Sequence, residues 1–578
     1  MDDEADLQET SEQTVSQTFT PEADDNISEI TFNNGETLNV GKGDIIVFVG
    51  PNNVGKSQSL KDIYVLCGGN HDSAVIKSVK LNKAPVSALR ELIKSIAVKR
   101  NMGDYQQFEG YKLSANSYEL DGYANVEHFG FARDILISNL DTENRLIACR
   151  AAGAITRDSP RQHPIHYSAF DSQIRQQQSK VFRKAFGVDL TPDTQFGAEF
   201  PMRMGIIPTL DESIENSQDR VEKFGESLSQ LMRVDQQGDG IRSFVGILLS
   251  LSIPHYRIVL IDEPESFLHP PQAFIMGRTI GQMLEKGKQA FISTHSQDVV
   301  KGLLEECPDR VKIVRITREG TRNHFNILEK GSISSIYSDP LLRHSEILNG
   351  MFHKNLVLCE SDCDCKFYSI IDSAIKETAG CYSEALFVHC GGKDRMRTIA
   401  EVLRKLGLEF HIIADMDVLS DENCISAILN NCGGDWQALK KSYNVLDSGL
   451  QGRSGYPLRD EVRAAIIELL DKEEGMHLSK QDCQSARKLF TATTKWSQIK
   501  EGGVSAVPGG NCRVAFDEIN SVLENYHIHL VPCGELERFV PQVEGHGPKW
   551  VNQVLEKYPN LDDGVYTSAK QFVASLNI

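Results

Sequence analysis

No lysine or arginine stands before Lys42. That absence excludes the basic start of a secretory signal, and the opening MDDEADLQET supplies no apolar stretch to follow one. An apolar run of membrane length is missing too, since the best candidate, VGILLSLSIPHYRIVLI, is broken by Pro254, His255 and Arg257. Thirteen cysteines in 578 residues are too thinly spread for a disulfide scaffold, and reduced thiols are expected. There is no internal repeat and, beyond the leader, no low-complexity tract. These absences leave a cytoplasmic protein with no membrane partner, large enough for two or more domains.

Taken alone, the net charge of −19 argues against a nucleic-acid partner, because an acidic surface repels phosphate. Its distribution weakens that inference. Residues 1–26 form an acidic, polar leader expected to be disordered, and they inflate the total. Arg161 to Phe186, RQHPIHYSAFDSQIRQQQSKVFRKAF, carries cations, Gln and aromatics instead. On its own that segment reads as a solvated helix face.

Along the chain, ISEITF, a turn at Asn34-Gly35 and ETLNV suggest a hairpin. Residues 60–230 read as mostly helical, a long insertion. From 241 to 330 helical and extended patterns alternate, which argues for a mainly parallel sheet. A second alternation begins near 350, after a linker around 335–350. Residues 425–525 again read as helical.

Two constellations carry chemistry. GPNNVGKS, Gly50 to Ser57, follows the apolar strand DIIVFVG and fits the phosphate-loop pattern. Gly50, Asn53 and Gly55 shape the loop, Lys56 reaches the outer phosphates of ATP, and Ser57 offers a hydroxyl to Mg²⁺. RIVLIDEPESFLHPPQ then places Asp262 and Glu263 at a strand end. Asp262 suits Mg²⁺ held through water, and Glu263 suits the role of orienting the attacking water. The strand FISTHS delivers His295 in the same manner. Each motif alone has a bland reading: a Gly-rich turn, an acidic helix cap, a structural histidine. Their joint order does not.

In the second alternation, NLVLCE ends on Glu360, and two αβ steps later HIIADMD delivers Asp415 and Asp417. Strand ends of a parallel sheet converge on one edge. Clustered carboxylates repel unless a cation neutralises them, and hard oxygen donors suit Mg²⁺ or Mn²⁺. The stretch VLCESDCDCKFYSII also holds Cys359, Cys363 and Cys365, which raises the alternative of zinc. With no CxxC nearby, the cysteines read as spacers around the acids.

IDEPESFLHP followed by STHS resembles the ABC-type ATPase heads of the RecF/SMC kind. The resemblance makes Asp262 and Glu263 the Walker B pair and His295 the switch histidine. It also implies a signature segment acting on ATP held by a second copy; GDGIRSF stands in that place, with Gly240, Arg242 and Ser243, although it departs from LSGGQ. Glu360, Asp364, Gly391-Gly392-Lys393 and Asp415/Asp417 resemble a Toprim domain, with Ser361 where the E-G-x-x-D pattern has Gly. Together the two halves resemble the OLD (overcoming lysogenisation defect) family of ATP-dependent nucleases. The implied fold is α/β: an ABC-type ATPase domain at 27–345 with a helical insertion, then a Toprim Rossmann-like domain at 350–578 with its own. The family implies ATP and Mg²⁺ or Mn²⁺ as cofactors and DNA as partner. It also implies a homodimer or higher oligomer, anti-phage defence, and in some members a reverse transcriptase–RNA partner as in retrons, or another defence subunit. Late family positions point to Glu535 or Glu537 as a further metal ligand and Lys549 as a charge-neutralising cation; helix-surface charges are the alternative. Competing with the nuclease are an ATP-switched DNA-binding or structural ATPase with an inactive Toprim domain, and another Toprim enzyme. No tyrosine has the setting a topoisomerase needs.

Overall fold

A computed structural model describes residues 25–102, 104–195, 197–330, 346–450, 458–471, 478–490 and 496–578. Most of the leader and most of the 335–350 linker lie outside these residues. The chain divides into two compact units, one of residues up to Phe48 with Gly55–Val311, the other of Val49–Val54 with Lys312–Ile578. The division thus falls ahead of the expected linker.

In the first unit, β1 (Asn26–Phe32) and β2 (Thr37–Asn39) form the expected antiparallel hairpin, with Ile30 opposite Leu38. The leader is shorter than expected. Asp25 and Asn26 are buried, and Asp25 accepts hydrogen bonds from the Ala84 N–H at 2.8 Å and the Tyr123 hydroxyl at 3.3 Å. The apolar strand β3 (Ile45–Val49) is buried at every position. It leads through the phosphate loop into α1 (Lys56–Cys67), and β4 (Ile76–Asn82) then pairs with the other edge of β1.

The reading of 60–230 as mostly helical is overturned. That span holds several short strands besides its helices, and one of them, β5 (Ile137–Leu140), is an edge strand of the main sheet. Apart from the seven-residue β4, these strands have two to five residues, too few alternations for a period of two to show against helical neighbours. Beyond them come α2 (Asp239–Leu251), β6 (Ile258–Asp262), α3 (Pro270–Met283), β7 (Gln289–Ser293) and α4 (Gln297–Glu306). The strands lie parallel in the order β3-β7-β6-β5. Helices on both faces explain why β3, β6 and β7 are continuous apolar runs rather than alternating ones. Each buried Ile, Val or Phe contributes roughly 1.5–3 kcal/mol.

The second unit begins with β8 (Val311–Glu319) and β9 (Arg322–Leu328), an antiparallel hairpin of which only the first strand was expected. A 3₁₀ helix over Glu346–Phe352 occupies the end of the presumed linker. Then β10 (Asn355–Cys359), α5 (Asp362–Thr378), β11 (Ala385–His389), α6 (Lys393–Lys405) and β12 (Phe410–Ala414) follow the predicted βαβαβ order. Residues 425–525 are helical where described. A fourth strand, β13 (Ile528–Leu530), returns beside β12, giving the parallel order β11-β10-β12-β13. The chain moves outward in opposite directions from β10, so the switch point lies at the carboxyl ends of β10 and β12. A crevice opens there in sheets of this kind. Phe367 and Tyr368 of α5 pack with Trp550, Tyr566 and Phe572 of the C-terminal helices, which fixes α5 beside that edge. No described helix is long and apolar enough to cross a membrane.

Candidate functional sites

In the first unit the chemistry collects at the carboxyl ends of β6 and β7 and the amino end of α1. Helix α1 has no acid in its first turn and no side-chain cap, so its amino end suits an anion. Lys56 is buried there. Burial pushes its ammonium down to about 8, against the opposing pull of Glu263, Glu265 and Asp262. Ser57 is half-buried in the same turn. Gly50 has a φ of +141°, and a Cβ on it would lie 2.1 Å from the Ile316 carbonyl oxygen, so only glycine fits. Gly50 and Asn53 fall in the 49–54 stretch that groups with the second unit.

Asp262 ends β6, and its carboxylate accepts a hydrogen bond from the Ser293 hydroxyl of β7. Glu263 sits in the left-handed region with φ +48°. Its Oε1 lies 2.6 Å from His295 Nε2, and its Oε2 accepts from the Ser266 hydroxyl at 3.2 Å. Two residues that motif reading missed hold this turn. Arg145, completely buried, donates to the carbonyl oxygens of Asp262 and, at 3.2 Å, Glu263. Glu265 accepts the His295 backbone N–H at 2.7 Å, and burial raises its carboxyl above the usual range. Neither carries a sequence signal, because each acts through tertiary contact alone.

The signature segment forms the start of α2. Gly240 packs so closely that a Cβ would stand 2.5 Å from the Phe267 carbonyl oxygen. Arg242 pairs with Asp239 at 2.8 Å, one turn back on the same helix. Ser243 is fully buried, which removes it from any face a second copy could touch. Close packing within the chain therefore accounts for Gly240.

In the second unit, Glu360 and Asp415 follow adjacent parallel strands, β10 and β12. Ligand atoms of Glu360, Asp415 and Asp417 all lie within 4.8 Å of one another. The Gly391 and Gly392 N–H groups donate to the Glu360 carbonyl oxygen at 3.1 and 3.0 Å and so fix the turn. Burial, reinforced by Asp364, Glu360 and Asp417, pushes the Asp415 carboxyl up to about 9. Burial and then Asp417 and Asp364 raise Glu360 as well. A cluster that resists holding its own charges is what a bound cation would relieve.

Asp364 stands in none of the close donor groups among the described residues; its Oδ2 accepts the Ser361 N–H at 2.8 Å and the Ser361 hydroxyl at 2.9 Å in a capping box that starts α5. Its charge still bears on Glu360 and Asp415. Glu535, Glu537 and His546 form a further close group. Glu537 Oε1 lies 2.7 Å from His546 Nδ1 and accepts the Gly547 N–H at 2.8 Å. His546 was not foreseen, since nothing near it in sequence marks it.

Lys549 is exposed on the first turn of its helix, Gly547–Lys557. The cations at the acids are others: Lys500 Nζ stands 2.9 Å from Asp417 and 4.0 Å from Glu535, and Lys393 Nζ stands 3.8 Å from Asp417. If the second unit cleaves DNA, replacing Lys500 with Ala should slow nicking about 10²-fold at saturating Mn²⁺, the effect of removing one donor to developing charge. Lys549→Ala should leave the rate within about twofold. Equal losses in a plasmid-nicking time course would return Lys549 to the site.

The cysteines of this stretch sit in packed surroundings. Cys359 and Cys365 are buried in the core around α5, and Cys363 Sγ lies 2.8 Å from the Ser361 hydroxyl. Among the described residues no close group of metal donors contains a cysteine. Cys363→Ser should therefore keep full cleavage in the same assay; its loss would bring zinc–thiolate chemistry back.

Comparison with known proteins adds to this picture. The protein-family model described as "AAA domain, putative AbiEii toxin, Type IV TA system" matches residues 127–301. The Old nuclease of Escherichia phage P2 is 24% identical over 246 residues, 40% of this chain and 40% of that protein. The chain thus matches well under two thirds of that relative's length. Among solved structures, the SMC head domain from Thermotoga maritima is 10% identical with a TM-score of 0.29, over 52% of this chain and 99% of that one. CbiO1 from Clostridium perfringens, part of the ABC transporter complex cbiONQ, is 15% identical with a TM-score of 0.23, over 48% of this chain and 76% of that one. Likeness of that size says nothing about ligand or partner. The fold is mixed α/β, and the chain carries an ATPase domain that matches the AAA-domain model and is similar to part of the Old nuclease.

Proposed function

We propose that the protein is an ATP-regulated, divalent-metal-dependent DNA endonuclease whose second unit is a Toprim domain. The supporting observation is the close group of Glu360, Asp415 and Asp417 at the switch point of a parallel sheet. The donor set is all carboxylate oxygen, which fits Mg²⁺ or Mn²⁺ rather than a softer ion. Bound there, such an ion would stabilise charge on the oxygens of a phosphodiester undergoing cleavage. Glu537 and Glu535 with His546 are proposed as a further cation position. Glu360, whose carboxyl is raised by burial, is suited to passing a proton. Lys500 and Lys393 hold Asp417 in place and add positive charge for a DNA phosphate.

In the ATPase domain, Lys56 and the amino end of α1 hold phosphates, with Gly50, Asn53 and Gly55 shaping the loop. Ser57 and Asp262 would hold Mg²⁺. Glu263, fixed by His295, orients water. Arg242, near the amino end of α2, is the residue proposed to reach ATP on a second copy, with Gly240 setting its helix. A homodimer or higher oligomer follows, in the cytoplasm, serving bacterial anti-phage defence, with a retron reverse transcriptase and its RNA as a partner class.

A second reading rests on the Lys500–Asp417 pair, which neutralises one acid without any metal. It makes the protein an ATP-switched DNA-binding ATPase with an inactive Toprim domain. Supercoiled plasmid incubated with Mn²⁺ separates the two. Nicked circles that vanish with chelator and in Glu360→Gln support the nuclease. Wild type inert on supercoiled, linear and single-stranded DNA, with and without ATP, would leave only the second reading, and relaxed closed circles would mean a topoisomerase.

A further inference from the structure

Three histidines meet at the other end of the second sheet, away from the carboxylates. His411 lies near the start of β12, His529 lies on the neighbouring strand β13, and His527 directly precedes β13. Their ligand atoms all fall within 4.8 Å of one another. His411 Nδ1 and His529 Nε2 are 3.2 Å apart, and the His411 and His527 ring centroids 4.7 Å apart. A tetrahedral zinc with Zn–N bonds near 2.0–2.1 Å sets its nitrogens about 3.3 Å apart. The His411–His529 spacing, a hydrogen bond while no ion is bound, is close to that value, and exposed His527 places a third nitrogen within 4.8 Å of both.

The scaffold is rigid where it needs to be. The Ile412 N–H donates to the His527 carbonyl oxygen at 2.8 Å, and Ile413 pairs with His529 across the strands. His527 itself has φ +59°, a left-handed conformation that turns the chain into β13. Asp415 stands four positions beyond His411, just past the end of β12, roughly 13 Å at the rise of a β-strand, so the two clusters are distinct. Their chemistry differs as well, three nitrogen donors here against three carboxylates there.

We infer that His411, His527 and His529 form a second metal site, selective for a borderline divalent cation of the zinc type, with three protein ligands and a fourth position open to solvent beside His527. Imidazole donors favour Zn²⁺, Co²⁺ or Ni²⁺ over Mg²⁺ and Mn²⁺. Bound there, the ion would tie β12 to β13 and so brace the strand that carries Asp415. The inference does not depend on the nuclease reading; either can fail alone.

The full chain, stripped with chelator and titrated with Zn²⁺ alone against a chromophoric competitor, tests it. Wild type should bind one zinc equivalent that His527→Gln binds about 100-fold more weakly, if not more so. Asp415→Asn should keep that equivalent. Co²⁺ in place of Zn²⁺ should give the visible bands of a tetrahedral nitrogen site in wild type and lose them in His527→Gln. His527 is exposed, so the variant should fold, and unchanged circular dichroism would confirm it. Equal zinc affinity in wild type and His527→Gln overturns the site. So does loss of the zinc in Asp415→Asn, which would place it among the carboxylates.

Discussion

Asp415→Asn should reduce metal-dependent DNA nicking about 10³-fold while leaving ATP hydrolysis near the wild-type rate. The substitution keeps the shape of the side chain and removes its charge. Losing one of three close carboxylates removes several kcal/mol of help to a bound cation, and each 1.36 kcal/mol is tenfold in rate. A readout independent of activity accompanies it. With no metal present, Asp415, Glu360 and Asp417 crowd one another, and burial already raises Asp415 to about 9. Near pH 7 the metal-free wild type therefore spends free energy holding that carboxyl protonated, a cost the amide does not carry, so the variant without metal should be more stable by on the order of 1 kcal/mol. Mn²⁺ should raise the melting temperature of wild type and not of the variant. A variant that nicks at the wild-type rate and still gains stability from Mn²⁺ would show that Asp415 is no ligand.

Glu263→Gln should lower ATP hydrolysis 10²–10⁴-fold, the usual contribution of a positioned general base, with ATP still bound. The amide keeps the contact with Ser266 but cannot take a proton from water, and its pairing with His295 at 2.6 Å becomes a neutral one. His295→Ala should act in the same direction with a smaller loss, because it frees Glu263 rather than replacing it. The variant also gives the sign of the control. Held in the ATP state, it should nick faster than wild type if ATP switches the nuclease on, and slower if ATP holds it off. Nicking that ignores both the substitution and the nucleotide would end the idea of ATP regulation.

Much of this was legible in the sequence wherever chemistry and backbone period coincide. Lys56, Asp262 and His295 each follow or end a buried apolar strand, and Glu360 and Asp415 do the same in the second unit. A strand that ends in an acid after four or five apolar residues announces both its element and its edge. What was illegible depends on contacts between distant segments. Lys500 reaches Asp417 from 83 residues away, out of a helical stretch with no motif, and Arg145 reaches the carbonyl oxygen of Asp262 from 117 away. Short strands such as Ile137–Leu140 were hidden for a different reason, their length. Lys549 was pointed to by the resemblance alone, and the helix that carries it turns it to solvent.

The left-handed backbone at Glu263 has a consequence for how this protein can vary. A glutamate at φ +48° is held in a conformation that glycine adopts without strain. Glu263→Gly should therefore fold at least as stably as wild type while losing the carboxylate that ATP hydrolysis needs. A library sorted only for thermal stability would enrich glycine there and collect inert proteins. Keeping an acid at this turn requires selection on activity, so its fate in such a library reports which of the two properties was being chosen.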